Sequence, residues 1–364
     1  MKKAVLSLGI VLVVIAVVFV YKRTHTDTVP DKPVVKIGAL LPLTGGMPSM
    51  GLAGHNGAQM AIDEINATSG NKYRYELIVE DVGVDIKRVV PIFNKMLTKD
   101  GISAVISFNS QVGYAIKPLA KQNKVIQIAS ATDFGIADGE FNFINISDVS
   151  EGIDRLLAYF DQKGYKRIAI ASFNHPAAQK VIAVLKEKTK GSDFSLVDIS
   201  LVNPDERQLS IEALKIVQSK PDVVFLYTFE PLTTLYAKEL KQAGYQGPIS
   251  SVYMLSYSDY PALFDGQVYV DDNPGKEDFR AKYKAKFGLD PNSVSPMLYN
   301  STRIIYELFE RNENPLEDVS GKIKVILDDY EGPSGKMTLK DSGRITSDSV
   351  LVEMLGGAPV VIEE

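Results

Sequence analysis

Residues 34–66 read VVKIGALLPLTGGMPSMGLAGHNGAQMAIDEIN, a run in which a buried strand, a long loop and an amphipathic helix follow one another. The nearly unbroken apolar run at 34–41 is typical of a parallel strand that is buried on both faces. Apolar residues at the spacing of one helix face then follow at Ala58, Ala61, Ile62 and Ile65. The loop predicted at 42–56 leaves the carboxyl end of the strand, the edge where open α/β sheets bind ligands. We therefore expect the first turn of the fold to face a ligand.

The same alternation of strand and helix continues through most of the chain. Short apolar strands are predicted at 74–81, 104–108 and 125–128, with helical patterns between them. The alternation resumes at residue 151, with further strands predicted at 167–172, 196–202, 223–227 and 249–252. Repeated βα units fold into parallel, right-handed wound sheets. Two α/β lobes of one class are therefore predicted, followed by short strands and glycine turns after Tyr330.

Length and composition narrow the class of protein. A chain of 364 residues is long for one hydrophobic core, which favours two lobes. The net charge is −5 and no basic block lies beyond the amino terminus, so nucleic acid is not an expected partner. The sequence has no Cys and 3 His, too few for a metal cluster or a His-based triad. The spacing of Gly51, Gly54 and Gly57 does not match any phosphate-binding or nucleophile motif. We therefore do not expect this protein to be an enzyme, and we expect no bound cofactor or metal.

The amino terminus has the pattern of a membrane-targeting segment. Two lysines precede an apolar run at 4–20, and Tyr-Lys-Arg follows it. No small-x-small cleavage site is visible, which favours an uncleaved signal anchor over a cleaved signal peptide for residues 1–23. Residues 4–21 would then contact the membrane, and the polar stretch 24–32 would serve as a tether. We expect the rest of the chain on the extracytoplasmic side, in the periplasm or at the outer face of the cytoplasmic membrane.

Several motifs resemble one known family. They are the strand end GALLPLTG at 38–45, the Gly51 turn, NGA at 56–58 leading into AIDEIN at 61–66, and YKAKFGLDP at 283–291. The chain resembles the leucine/isoleucine/valine-binding proteins, the type I solute receptors of bacterial ABC importers. The resemblance implies two doubly wound parallel-sheet lobes joined by a three-stranded hinge, and an ABC permease as partner.

The resemblance also implies a division of the chain between the lobes. Residues 33–148 and 272–330 would form the first lobe. Residues 149–271 and 331–364 would form the second lobe, so that the chain crosses the hinge three times.

Two strand ends of the first lobe carry polar residues suited to an anion. Asn109 and Ser110 follow one strand at a helix start, where free backbone N–H groups favour negative charge. Ser130, Ala131 and Thr132 follow the next strand. The resemblance implies that this small-residue loop holds the α-carboxylate of an amino acid. A simpler alternative is that the Ser and Asn side chains only cap helices.

The second lobe fits the family less well. The resemblance places an aromatic position on Phe229, with Glu230 beside it, and an acid position near Tyr253. A phenol cannot neutralise a buried ammonium group as a carboxylate does. Glu230 could take that role if its side chain turns inward; the alternative is an exposed glutamate at a helix start. Ligand shape would be read by Phe229 and Tyr253 together with Met50 and Tyr227.

These features predict a receptor that closes two lobes on a small ligand. Its ligand would be a small amino acid of the branched-chain type or a related carboxylate, including a carboxylate without the amine. A ligand-sensing ectodomain of a signalling system is the alternative of a different class.

Overall fold

The computed structural model describes residues 32–363, apart from residues 46 and 84. The predicted anchor at 1–23, its membrane contact at 4–21 and the tether up to residue 31 lie outside the described residues. Within the described part, no helix is both long and apolar enough to cross a membrane.

The described chain alternates strands and helices as predicted. The strands are β1 Val34–Leu41, β2 Arg74–Asp81, β3 Ala104–Phe108, β4 Ile126–Ser130, β5 Asn142–Asn145, β6 Arg167–Phe173, β7 Ser195–Val202, β8 Val223–Tyr227, β9 Ile249–Ser250, β10 Val268–Asp272, β11 Glu331–Gly332, β12 Gly335–Lys340, β13 Arg344–Ser347, β14 Ser349–Leu355 and β15 Ala358–Glu363. The helices are α1 Pro48–Ala67, α2 Val89–Lys95, α3 Ser110–Gln122, α4 Val149–Lys163, α5 Pro176–Thr189, α6 Ser210–Gln218, α7 Leu232–Gln242, α8 Glu277–Phe287, α9 Val294–Arg311 and α10 Val319–Asp329.

These strands form two wound sheets. The larger sheet has the order β11-β12-β13-β5-β4-β3-β1-β2, parallel from β13 to β2. The second lobe contains the parallel group β7-β6-β8-β9 and the antiparallel group β10-β14-β15, which a single bridge between Val252 and Val270 links. The predicted class, two α/β lobes built on parallel sheets and joined by three crossovers, is confirmed. Antiparallel strands extend both sheets at one edge.

Helices cover both faces of the larger sheet. On one face, Ala39 and Ile106 belong to an apolar cluster that includes Ala58 of α1 and Leu298 of α9. On the other face, neighbouring strand residues such as Leu40 pack in a separate cluster with α2 and α3. Successive strand residues point to opposite faces, so a run that is apolar at every position needs two covers.

The carboxyl-terminal strands correct one expectation. Residues 331–347 were expected to pack on the second lobe, but β13 pairs with β5 of the larger sheet, with Arg344 opposite Ile144. Only β14 and β15 join the second lobe, through pairing of β10 with β14. The expectation for 331–347 is wrong because short alternating strands do not indicate in sequence which sheet edge they will fill.

The first helix corrects a second expectation from the sequence. Residues 48–56 were predicted as loop, but they are the first half of α1. A Cβ atom at Gly51 would lie 2.2 Å from the carbonyl oxygen of Pro42, and one at Gly57 would lie 2.0 Å from that of Ser295. These glycines, which fit no ligand-binding motif, let α1 pack closely against the loop after β1 and against α9.

Candidate functional site

A cleft lies between the carboxyl ends of the parallel strands of the two lobes. At its centre is a cavity of about 70 Å³, called here the central cavity. One side, the first-lobe wall, is formed by Asn109, Ser110, Gln111, Ser130, Ala131 and Thr132. The other side, the second-lobe wall, is formed by His175, Tyr227, Phe229, Tyr253, Met254 and Tyr257. Larger cavities of about 310 Å³ and 510 Å³ adjoin it on either side.

The first-lobe wall presents both engaged and unengaged polar groups. Asn109, at a φ of 89°, accepts a hydrogen bond from the backbone N–H of Gln111 at 2.8 Å and so caps α3. Ser110 Oγ accepts from the backbone N–H of Asp133 at 3.3 Å. Ser130 is 3% exposed, and its Oγ has no hydrogen-bond partner among the described residues. The capping alternative therefore describes Asn109, whereas the Ser130 hydroxyl is a buried polar group that no described residue satisfies.

The second-lobe wall consists mainly of rings. The phenol of Tyr227 is buried, and this burial raises its pKa. The Tyr253 hydroxyl forms a hydrogen bond of 2.9 Å with Ser147 Oγ, so this hydroxyl is partly engaged. Tyr257 packs edge-on against Phe108 of the first lobe, with ring centroids 6.3 Å apart. This wall can recognise apolar shape but carries no acidic side chain.

The structure places the predicted residue Glu230 outside the central cavity, on the adjoining cavity of about 310 Å³. One carboxylate oxygen accepts from Ser258 Oγ at 2.6 Å, from Thr234 Oγ1 at 2.9 Å and from the backbone N–H of Asp259 at 3.2 Å. The other accepts from the backbone N–H of Thr234 at 3.3 Å. These donors all come from its own lobe, so the carboxylate is turned away from the central cavity.

Met50 is also placed elsewhere. It is a buried core residue of α1 and does not line the central cavity. The nearby Met47 lines the cavity instead. Residues 48–56 are helical and not the predicted loop, and the first turn of α1 points Met50 into the core. The structure brings the other eight predicted residues together on the central cavity: Asn109, Ser110, Ser130, Ala131, Thr132, Tyr227, Phe229 and Tyr253. Their part in binding remains a prediction.

His175 is one of the cavity residues that were not predicted from the sequence. It lines the central cavity and both adjoining cavities. Its Nδ1 accepts from the backbone N–H of Ala177 at 3.3 Å, at the start of α5, and its ring stacks on Phe173 at 5.2 Å. Burial lowers its pKa, which favours the neutral ring. The signal was its place directly before Pro176, since proline at the first helical position marks the residue before it as a cap.

Contacts between the lobes flank the central cavity on both sides. On one side, Lys180 Nζ of the second lobe lies 2.5 Å from an Asp133 carboxylate oxygen of the first. On the other, Ser49 Oγ donates to Asp259 at 3.0 Å. The lobes are therefore held together across the cleft in this arrangement. No cluster of three or more His, Cys, Asp or Glu suited to a metal ion occurs in the part of the chain that the structure describes.

Comparisons with known proteins agree with this geometry. A family model described as periplasmic binding protein matches residues 34–358. The Leu/Ile/Val-binding protein BraC3 of Rhizobium johnstonii is 24% identical over 334 residues, which cover 86% of this chain and 90% of that protein.

Two solved structures are similar over nearly the whole chain. The branched-chain amino acid transporter substrate binding protein LivJ from Streptococcus pneumoniae, in complex with isoleucine, has a TM-score of 0.80 at 18% identity and covers 91% of this chain and 100% of that one. A solute binding protein of an ABC transporter from Rhodopseudomonas palustris, in complex with 3,4-dihydroxybenzoic acid, has a TM-score of 0.75 at 18% identity and covers 91% and 96%. Because the family model spans most of the sequence, the chain belongs to the periplasmic binding protein family, as its resemblance to the leucine/isoleucine/valine-binding proteins implied.

Proposed function

We propose that this protein is the extracytoplasmic solute receptor of an ABC importer. It binds a small amino acid of the branched-chain type, or a related carboxylate, between its lobes and delivers it to a membrane permease. The observation that carries the proposal is the central cavity, in which hydroxyl and amide groups of one lobe face rings of the other. Such a cavity suits a ligand with a charged end and an apolar body.

Closure of the lobes provides the mechanism. Ser130 and Phe229 belong to different lobes, so a ligand contacts both only when the cleft is closed. A ligand that makes more contacts in the closed form shifts the population toward that form. A permease can then distinguish loaded from empty receptor by the relative position of the lobes.

The solved relatives support a carboxylate ligand. Isoleucine in one and 3,4-dihydroxybenzoic acid in the other both carry a carboxylate on a compact body. The Ser130 hydroxyl, which has no described partner, and the start of α3 both line the central cavity, and a bound carboxylate would accept hydrogen bonds from them.

A thermal-shift panel tests the proposal. Purified protein is heated with amino acids, aromatic acids, amides and polyols, because a ligand that binds only the folded state raises the melting temperature. At a concentration of about 100 Kd the expected stabilisation is about 2.7 kcal/mol. We expect the largest shift from a compound with a carboxylate. A panel in which polyols or amides alone shift the melting temperature would contradict the carboxylate assignment.

Gene neighbourhood tests the transport part separately. Genes for a permease and an ATPase are expected beside this one. A kinase or cyclase gene in their place would favour the sensing ectodomain instead.

The place of the receptor in the cell is tested by fractionation. We propose that residues 4–21 hold it at the outer face of the cytoplasmic membrane, because this run is apolar and flanked by basic residues. The full chain should sediment with membranes, and a chain that starts at residue 33 should not. Equal distribution of the two chains would contradict the anchor.

A further inference from the structure

The charged groups around the central cavity narrow the ligand class, an inference that rests on the proposed function. Of the described residues that line this cavity, none is an aspartate, a glutamate, a lysine or an arginine. A ligand carboxylate is served by the Ser130 hydroxyl and the start of α3. A ligand ammonium finds no carboxylate on either wall.

Carboxylates around the central cavity do not line it. The Glu230 carboxylate accepts four hydrogen bonds within the second lobe. The Asp133 carboxylate pairs with Lys180 on the adjoining cavity of about 510 Å³. Asp271 and Asp272 are buried at the end of β10 and do not line the central cavity; one oxygen of Asp272 accepts from the backbone N–H of Ser147 at 2.8 Å, and the other has no partner among the described residues.

His175 gives the second-lobe wall a hydrogen-bond donor. A ligand amine would need a hydrogen-bond acceptor instead. Because its Nδ1 accepts from the backbone N–H of Ala177, the neutral ring carries its proton on Nε2. No described side chain or backbone group accepts a hydrogen bond from Nε2. The group that this residue offers a ligand is therefore an N–H donor, which suits an oxygen and not an ammonium group.

We infer that the ligand is an apolar monocarboxylate without an α-ammonium group, and that His175 is the residue of the second lobe that sets this specificity. The carboxylate lies toward Ser130, and the apolar body lies against Tyr227, Phe229 and Tyr257. Ring faces attract a cation weakly, but they do not accept the three N–H donors of a buried primary ammonium.

Matched pairs of ligands test the inference by calorimetry. The pairs are L-leucine with 4-methylpentanoate and L-phenylalanine with 3-phenylpropanoate, which differ only in the amine. In the better-bound pair, the acid without the amine is expected to bind at least about tenfold more tightly. Tighter binding of the amino acid would overturn the inference and leave the proposed function standing. Absence of binding by all four compounds and by the wider panel would overturn the proposed function, and the inference with it.

Two substitutions at one position test the part played by His175. His175→Asp and His175→Asn both retain a good helix cap, so both should fold, and circular dichroism and melting temperature check this. The aspartate supplies the carboxylate that the wall lacks. It should shift the affinity ratio at least about tenfold toward the amino acid. The asparagine, uncharged and of the same size, should retain the preference for the acid without the amine. An identical ratio in the two variants would overturn the assignment to His175.

Discussion

The first-lobe wall and the second-lobe wall of the central cavity start from the same geometry, turns that follow the carboxyl ends of parallel strands. They nevertheless differ in chemistry. The first-lobe wall carries hydroxyl and amide groups beside the start of α3, and Ser130 leaves one buried hydroxyl without a described partner. The second-lobe wall consists mainly of rings, and the hydroxyl of Tyr253 is engaged by Ser147.

This difference separates two tasks that one wall could not perform together. A charged ligand end needs donors held in place, and a helix start supplies them without a charged side chain. An apolar ligand body needs a desolvated surface of rings, which polar groups would interrupt. Each prediction below alters a wall, its support or its rim, and compares the change with one at a residue that does not line the central cavity.

The largest expected effect concerns the support behind the second-lobe wall. Tyr253 contacts Ser147, whose backbone N–H donates to Asp272. Burial raises the pKa of Asp272 from 3.8 to about 6. At pH values between 3.8 and about 6, this carboxyl is protonated in the folded state and ionised in the unfolded state. The free energy of unfolding therefore decreases as the pH rises through this window. Asp272→Asn removes the ionisation, and its gain in unfolding free energy should be about 2 to 3 kcal/mol greater at pH 8 than at pH 4.

Urea unfolding at the two pH values measures this effect. Asp205→Asn, at an exposed position, provides the control. A pH-independent effect of Asp272→Asn would show that this carboxyl does not titrate in the window.

The next effect tests the first-lobe wall. Ser130 and Ser107 are both buried, and neither hydroxyl has a partner among the described residues, but only Ser130 lines the central cavity. Ser130→Ala should weaken the best carboxylate ligand at least about tenfold, as loss of a hydrogen bond to a charged group does. Thr132→Val should act in the same direction. Calorimetry with Ser107→Ala as the matched variant should show affinity within about twofold of the original protein; similar losses in both serine variants would argue against a direct contact.

The ring wall should show a loss of similar or smaller size. Phe229→Ala removes an aromatic contact and should weaken the same ligand about tenfold, with Phe229→Leu in between. Phe194 does not line the cavity, so Phe194→Ala serves as the control. Phe229→Ala should weaken the binding of a ligand without an apolar body less than that of the best ligand. An equal loss of affinity for both ligands would contradict the division of tasks between the walls.

The smallest effect is expected where the walls meet at the rim. Lys180 pairs with Asp133 across the cleft, but its side chain is 60% exposed, so solvent screens the pair. Lys180→Gln should weaken binding about two- to threefold at low salt and less at high salt. Lys188, on the same helix, pairs with Asp154 within one lobe, so Lys188→Gln should leave affinity unchanged. Equal effects of the two variants would mean that the Lys180 pair does not favour closure.

Much of this could be predicted from local patterns. Apolar runs such as Val34–Leu41 predict buried strands wherever they fall, and repetition of βα units predicts wound sheets. Because such sheets collect their turns at one edge, the residues after β3, β4 and β8 were expected near one another, as they are.

Side-chain direction could not be predicted in the same way. Glu230 turns toward Ser258, 28 residues later in the chain, and Met50 turns into the core because residues 48–56 are helical. His175 cannot be identified from the sequence, because a residue that caps a helix has the same sequence pattern whether or not its ring borders a cavity.

From the sequence alone follow the fold class, the family and the strand ends that face the cleft, since these depend on short-range periodicity and on motifs that are contiguous in the chain. Three features are visible only in the tertiary structure. Strands β11, β12 and β13 belong to the first sheet, α1 packs against α9 through a glycine, and the second-lobe wall has no free carboxylate. Those outcomes depend on which distant groups meet, because open sheet edges, close helix contacts and hydrogen-bond partners are completed by residues far away in the chain.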